Sequence, residues 1–179
     1  MQPHWLTRAI LSGGWRSTLR WLLPVALAAV AQGVWAPRMA IGGMTPDLPL
    51  LTLACIAMRT TPSIAAWAGF FTGLLHASML EQTVGSLIVS RVLAATAVAY
   101  LPMLLSPRHP LSILPAVALL TLMAQGFLYL AAPVVDPSAF GWTSLGSMVY
   151  NMALAIPVYW LMMRILPPVS EDDTLLWNK

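Results

Sequence analysis

Charge is what this chain has least of. Asp, Glu, Lys and Arg make up 8% of its 179 residues, whereas hydrophobic residues reach 59% and the mean hydropathy is +0.77. A water-soluble domain of this size needs more charge to stay dispersed, so that class is excluded. Cysteine is nearly absent as well. The single Cys55 sits inside an apolar run, which rules out an intrachain disulfide and reads as a small packing residue. The nine basic residues are spread singly, so the net charge of +3 reflects a shortage of acids and not a basic face. Nucleic-acid binding is excluded on that ground. Also missing are a glycine-rich phosphate loop, a CxxC pair, an HExxH helix and the string of intramembrane acids that a proton pump needs. The residues predict no catalytic site, no metal site and no bound cofactor.

What fills the chain instead is apolar sequence. A bilayer core of ~30 Å takes ~20 apolar residues per helix. Spans are expected at about Leu19–Ala36, Pro46–Met58, Ser63–Leu80, Ser86–Leu105, Ser112–Ala132 and Trp142–Ile165. This predicts one all-α integral membrane domain over residues 19–165, with an N-terminal segment at 1–18 and a tail at 166–179. The second span is short: thirteen residues rise only ~20 Å, so it must tilt or be buried among the others. Pro46 and Pro49 flank Asp47 at its start, where proline suits a first helical turn.

The arginines set the expected orientation. Arg8, Arg16 and Arg20 precede span one, Arg59 follows span two, Arg108 follows span four, and Arg164 and Lys179 follow span six. The opposite loops hold Arg38, with Arg91 a few residues inside span four. By the positive-inside rule both termini are cytoplasmic. Trp35 and Trp142 then fall at the outer interface and Trp21, Trp67 and Trp160 near the inner one, as aromatic belts require. Arg16, Arg20 and the run to Ala29-Val30-Ala31 imitate a signal peptide, but the charged leader is too long, and an uncleaved first span is expected. Residues 1–18 read either as an interfacial helix carrying Trp5, Leu6, Ile10, Leu11 and Trp15 or as an unstructured leader.

Within the spans, Gly69-Phe70-Phe71-Thr72-Gly73 extends through Ala65 and Ala77 into a smooth stripe that lets a second helix approach closely. Packing inside the chain is its expected use, and a homodimer face its rival use. Ionisable groups in or beside the spans are Asp47, His76, Glu81 and Arg91. Each is costly against lipid, by ~2.5–3.5 kcal/mol for Asp or Arg at mid-helix. The expected topology puts all four in the outer half of the membrane, and Arg91 is expected to pair with Asp47 or Glu81. Gln32, Gln125 and Asn151 are expected to hydrogen-bond between helices. His76 and Ser78, two apart, do not face each other on a helix, and no Asp is positioned to orient the imidazole. His76 and Glu81, five apart, miss the spacing that puts two ligands on one face.

Thr45-Pro46-Asp47-Leu48, then Gly69-Phe70-Phe71-Thr72-Gly73-Leu74-Leu75, then Ser90-Arg91-Val92-Leu93 leading to Ala99-Tyr100-Leu101 resemble the rod shape-determining membrane protein family MreD. The resemblance covers roughly residues 20–165, and Pro46, Asp47, Gly69, Gly73 and Arg91 are its matched positions. Where that family usually carries an acid after the span-three glycines, this chain has His76, with Glu81 five residues on. The resemblance implies a six-helix bundle similar to the S components of energy-coupling-factor vitamin transporters, in the bacterial inner membrane. It implies a non-catalytic part of the cell-elongation machinery, working with a bitopic MreC-like partner and with MreB, RodA and a class B penicillin-binding protein in peptidoglycan synthesis. The alternative is an S component itself, a vitamin- or metal-binding subunit. S components typically present small residues four apart on span one, whereas here Ala26 is followed at that spacing by Val30, and Leu27 by Ala31.

Overall fold

The computed structural model describes residues 14–78, 84–106, 109–131 and 137–165, with the side chains of 14–20 and of 137 left aside. Among the described residues six α-helices follow one another: α1 (Gly14–Val34), α2 (Leu48–Ala57), α3 (Pro62–Ala77), α4 (Val84–Val98), α5 (Ile113–Ala131) and α6 (Pro137–Ile165). Single 3-10 turns follow α1 (Ala36–Met39) and α4 (Leu101–Met103), and another opens α5 (Pro110–Ser112). No strand occurs among the described residues beyond one isolated bridge between Ile41 and Met44. Each expected apolar stretch holds a helix.

Three stretches are long and apolar enough to cross a membrane by themselves: Val84–Met103, Pro110–Ala131 and Ser138–Ile165. The chain is therefore an all-helical bundle of membrane type. Large apolar side chains point outward along it, including Leu23, Leu27 and Val30 on α1 and Val149 and Trp160 on α6. That outside suits hydrocarbon, since there is no water there to drive apolar groups inward.

α2 sits at the centre. Nine of its ten residues, Pro49 to Ala57, are buried, and α1, α3, α4, α5 and α6 all pack against it. At 1.5 Å per residue its ten residues rise ~15 Å, about half the hydrocarbon thickness. A helix apolar on every side belongs inside a bundle, and the short second stretch is resolved in that way. Cys55 is buried on this helix.

α3 and α4 form the closest pair. A Cβ placed on Gly69 would lie 2.8 Å from the Arg91 carbonyl oxygen, and one on Gly73 would lie 2.7 Å from Ile88 Cα. Only glycine lets two backbones meet at that range. The stripe, with Ala65 and Ala77 also buried, is thus used within the chain and is not free for a second copy. Hydroxyls inside the bundle bond back to their own helices: Thr72 Oγ1 donates to the Ala68 carbonyl at 2.6 Å and Ser90 Oγ to Leu87 at 2.9 Å. Such bonds satisfy the hydroxyls without demanding a partner.

Between α1 and α2 the chain reverses in a two-residue turn. Ile41 and Met44 exchange both backbone hydrogen bonds at 3.0 Å, and Gly42 and Gly43 have φ of 60° and 80°. A Gly-Gly pair suits a turn with positive φ at both central positions. Met44 then lies over Gly146 of α6, where a β-carbon would collide with its side chain.

Candidate functional site, a buried Asp–Arg–His cluster

The start of α2 explains how the charged residues come together. A helix start leaves four N–H groups without intrahelical partners. Here the Asp47 N–H donates to Asn151 Oδ1 (2.9 Å), the Leu48 N–H to Gln32 Oε1 (2.8 Å) and the Leu50 N–H to Asp47 Oδ1 (2.9 Å). The fourth position is Pro49, which has no N–H to satisfy. Gln32 also donates through Nε2 to the Pro46 carbonyl (2.8 Å), and Asn151 donates through Nδ2 to Thr121 Oγ1 (3.3 Å). Side chains of α1 and α6 therefore hold α2 by its backbone. Gln32 and Asn151 bond between elements as expected, and no hydrogen bond of Gln125 is described.

Asp47, fixed as the N-cap, turns its other oxygen to α4. Arg91 Nη2 donates to Asp47 Oδ2 at 2.5 Å, and the same Nη2 lies 2.5 Å from His76 Nδ1 on α3. His76 Nδ1 is 3.7 Å from Asp47 Oδ1. The side chains of Arg91 and His76 are 3% and 6% exposed and that of Asp47 is 17% exposed, so the cluster reaches the surface mainly through the carboxylate. A buried charge persists only when paired and hydrogen-bonded. Arg91 is incompletely served even so: its Nε and Nη1 are buried without a partner.

Of the residues singled out in the sequence, Asp47, His76 and Arg91 meet. Gly69 lies under the backbone of Arg91 and Gly73 under that of Ile88, so these glycines bring α4 close enough for the guanidinium to reach α2. Pro46 takes part through its carbonyl alone. Glu81 lies outside the described residues, as do residues 1–13, Arg108 and the tail from 166. Arg91 thus faces Asp47, one of its two expected partners. One expectation is corrected: an Asp does lie beside the imidazole, brought by another helix across the bundle. Ser78 is exposed and its hydroxyl donates to the Leu75 carbonyl at 2.7 Å, so it does not join the pair. Among the described residues, no group of three His, Cys, Asp or Glu side chains gathers in a way that could hold a metal ion.

Away from this cluster, an open apolar groove of about 270 Å³ runs between α1 and α6, lined by Ala31, Trp35, Met39, Leu48, Leu154, Pro157, Val158 and Leu161. At the far end of α2, Arg59 lies half-buried, with Nη1 2.7 Å from Met163 Sδ and Nε without a partner.

No family model matches the chain, and no match is found among curated proteins or solved structures. The resemblance to MreD rests on the sequence alone.

Proposed function

We propose that the chain crosses the bacterial inner membrane six times with both termini in the cytoplasm, and acts there as a non-catalytic scaffold of the cell-elongation machinery. The observation that carries this reading is how the polar groups are spent. Asp47, Arg91, His76, Gln32 and Asn151 bond to one another and to the backbone at the start of α2. They fasten helices together, while the open groove between α1 and α6 is apolar. A helical bundle with an apolar trough suits the helix of an MreC-like bitopic partner, through which it would reach MreB, RodA and a class B penicillin-binding protein. The arginine distribution supports the orientation, and the motif positions Asp47, Gly69, Gly73 and Arg91 all take part in one helix junction.

The test combines depletion and purification. In rod-shaped cells that encode the chain, depletion should give rounded cells, and the detergent-solubilised protein should carry the MreC-like partner with it. Normal rods after depletion, together with purification free of that partner, would remove the scaffold reading. A vitamin found bound to the purified protein would point instead to an S component.

A further inference from the structure

The two contacts of one guanidinium nitrogen cannot both survive the arrival of a proton. Arginine only donates hydrogen bonds. Arg91 Nη2 carries two hydrogens and lies 2.5 Å from both Asp47 Oδ2 and His76 Nδ1. Both contacts are satisfied at once only when Nδ1 offers its lone pair, which makes His76 neutral with its proton on Nε2. A proton added at Nδ1 turns that acceptor into a donor facing a donor, with a positive charge on each side. The nearest acceptor for it is Asp47 Oδ1, 3.7 Å away and already bonded by the Leu50 N–H.

We propose that His76 is a proton-binding site whose protonation draws the Asp47 carboxylate from Arg91 to the imidazole and loosens the first turn of α2. The groups facing His76 from each packed element make this a three-body competition. α2 presents Asp47 and α4 presents Arg91. The described side chains of α1, from Trp21 to Val34, include no ionisable group. Glu81, on the connection to α4, lies outside the described residues and is treated as a control. Arg91 has no second partner to fall back on, because its Nε and Nη1 are already unserved. The carboxylate, at 17% exposure, is the part of the cluster nearest to solvent. Acidification from pH 8 to pH 5 supplies the added proton.

The full chain in lipid nanodiscs supplies the readout. Hydrogen exchange over residues 46–51, corrected for the intrinsic effect of pH, should quicken about tenfold between pH 8 and pH 5, the scale of losing one hydrogen bond. Glu81→Gln should show the same response. His76→Gln should show none, because its amide oxygen accepts from Arg91 at every pH. An unchanged rate in the native chain, an equal response in His76→Gln, or a response abolished by Glu81→Gln overturns the proposal. Nitrogen NMR of the native chain provides a measurement that needs no variant. At pH 8 Nδ1 of His76 should be the unprotonated ring nitrogen, and a proton found there sinks the idea.

Discussion

Replacing Gly73 with alanine sets two known effects against each other, and the structure says which wins. Alanine is the better helix former by ~0.8–1.0 kcal/mol. The new methyl, however, would lie 2.7 Å from Ile88 Cα and 3.1 Å from the Leu87 carbonyl oxygen, both backbone atoms of α4. Carbon atoms sit comfortably at ~3.5 Å or more, so α4 must retreat by ~0.8 Å along its tightest contact. Overpacking of that kind costs ~1–3 kcal/mol. The net expectation is a loss of ~0–2 kcal/mol after the propensity gain, against a gain at a site without the contact. Gly126, on α5, is the matched control, because nothing lies within 4 Å of its added carbon; there alanine should be neutral or stabilising by up to ~1 kcal/mol. Equilibrium unfolding in mixed micelles, with denaturing detergent titrated against both variants and the native chain, compares them directly. Equal stability of Gly73→Ala and Gly126→Ala would refute the backbone contact between α3 and α4, and with it the account of how Arg91 is brought to Asp47.

Two further changes probe the cluster and its anchor. Asp47→Arg or Arg91→Asp alone leaves like charges buried together and should cost ~3–5 kcal/mol; the double exchange should recover most of this but fall short by the ~1 kcal/mol of the lost N-cap, and a double variant no better than either single one disproves the pairing. Asn151→Leu removes the acceptor for the Asp47 N–H, which should cost ~1–3 kcal/mol in the same titration, and full stability would mean that water replaces the amide.

The helices were legible because their signal is length and hydropathy, which neighbours do not alter. The Arg91–Asp47 pairing was legible in outline for a similar reason, since two opposite charges in hydrocarbon have few other ways to persist. The place of His76 was not. Its partners lie 15 and 29 positions away in sequence, on α4 and at the start of α2, and spacing rules within one helix say nothing about such meetings. The partners of Gln32 and Asn151 were not legible because Asn151 bonds the backbone of Asp47 and Gln32 that of its neighbours, and any residue offers the same backbone. A faint sign was present: a helix opening on Pro-Asp-Leu-Pro has N–H groups to satisfy and only one side-chain acceptor of its own.

The fastening of α2 also implies an order of assembly. The Asp47 N–H is held by Asn151, which is 104 residues further along the chain. At ~5–20 residues per second, the ribosome makes that partner roughly 5–20 s after α2 itself. Until then the central helix, too short to cross the membrane alone, lacks one of its anchors and the cover of α5 and α6. A nascent chain caught at that stage resembles a clasp whose pin has not yet been made, and the quality-control proteases of the membrane would meet it open. Truncation before α6 should therefore shorten the lifetime of the protein more than its loss of mass suggests, because α6 closes a junction that α2 leaves open.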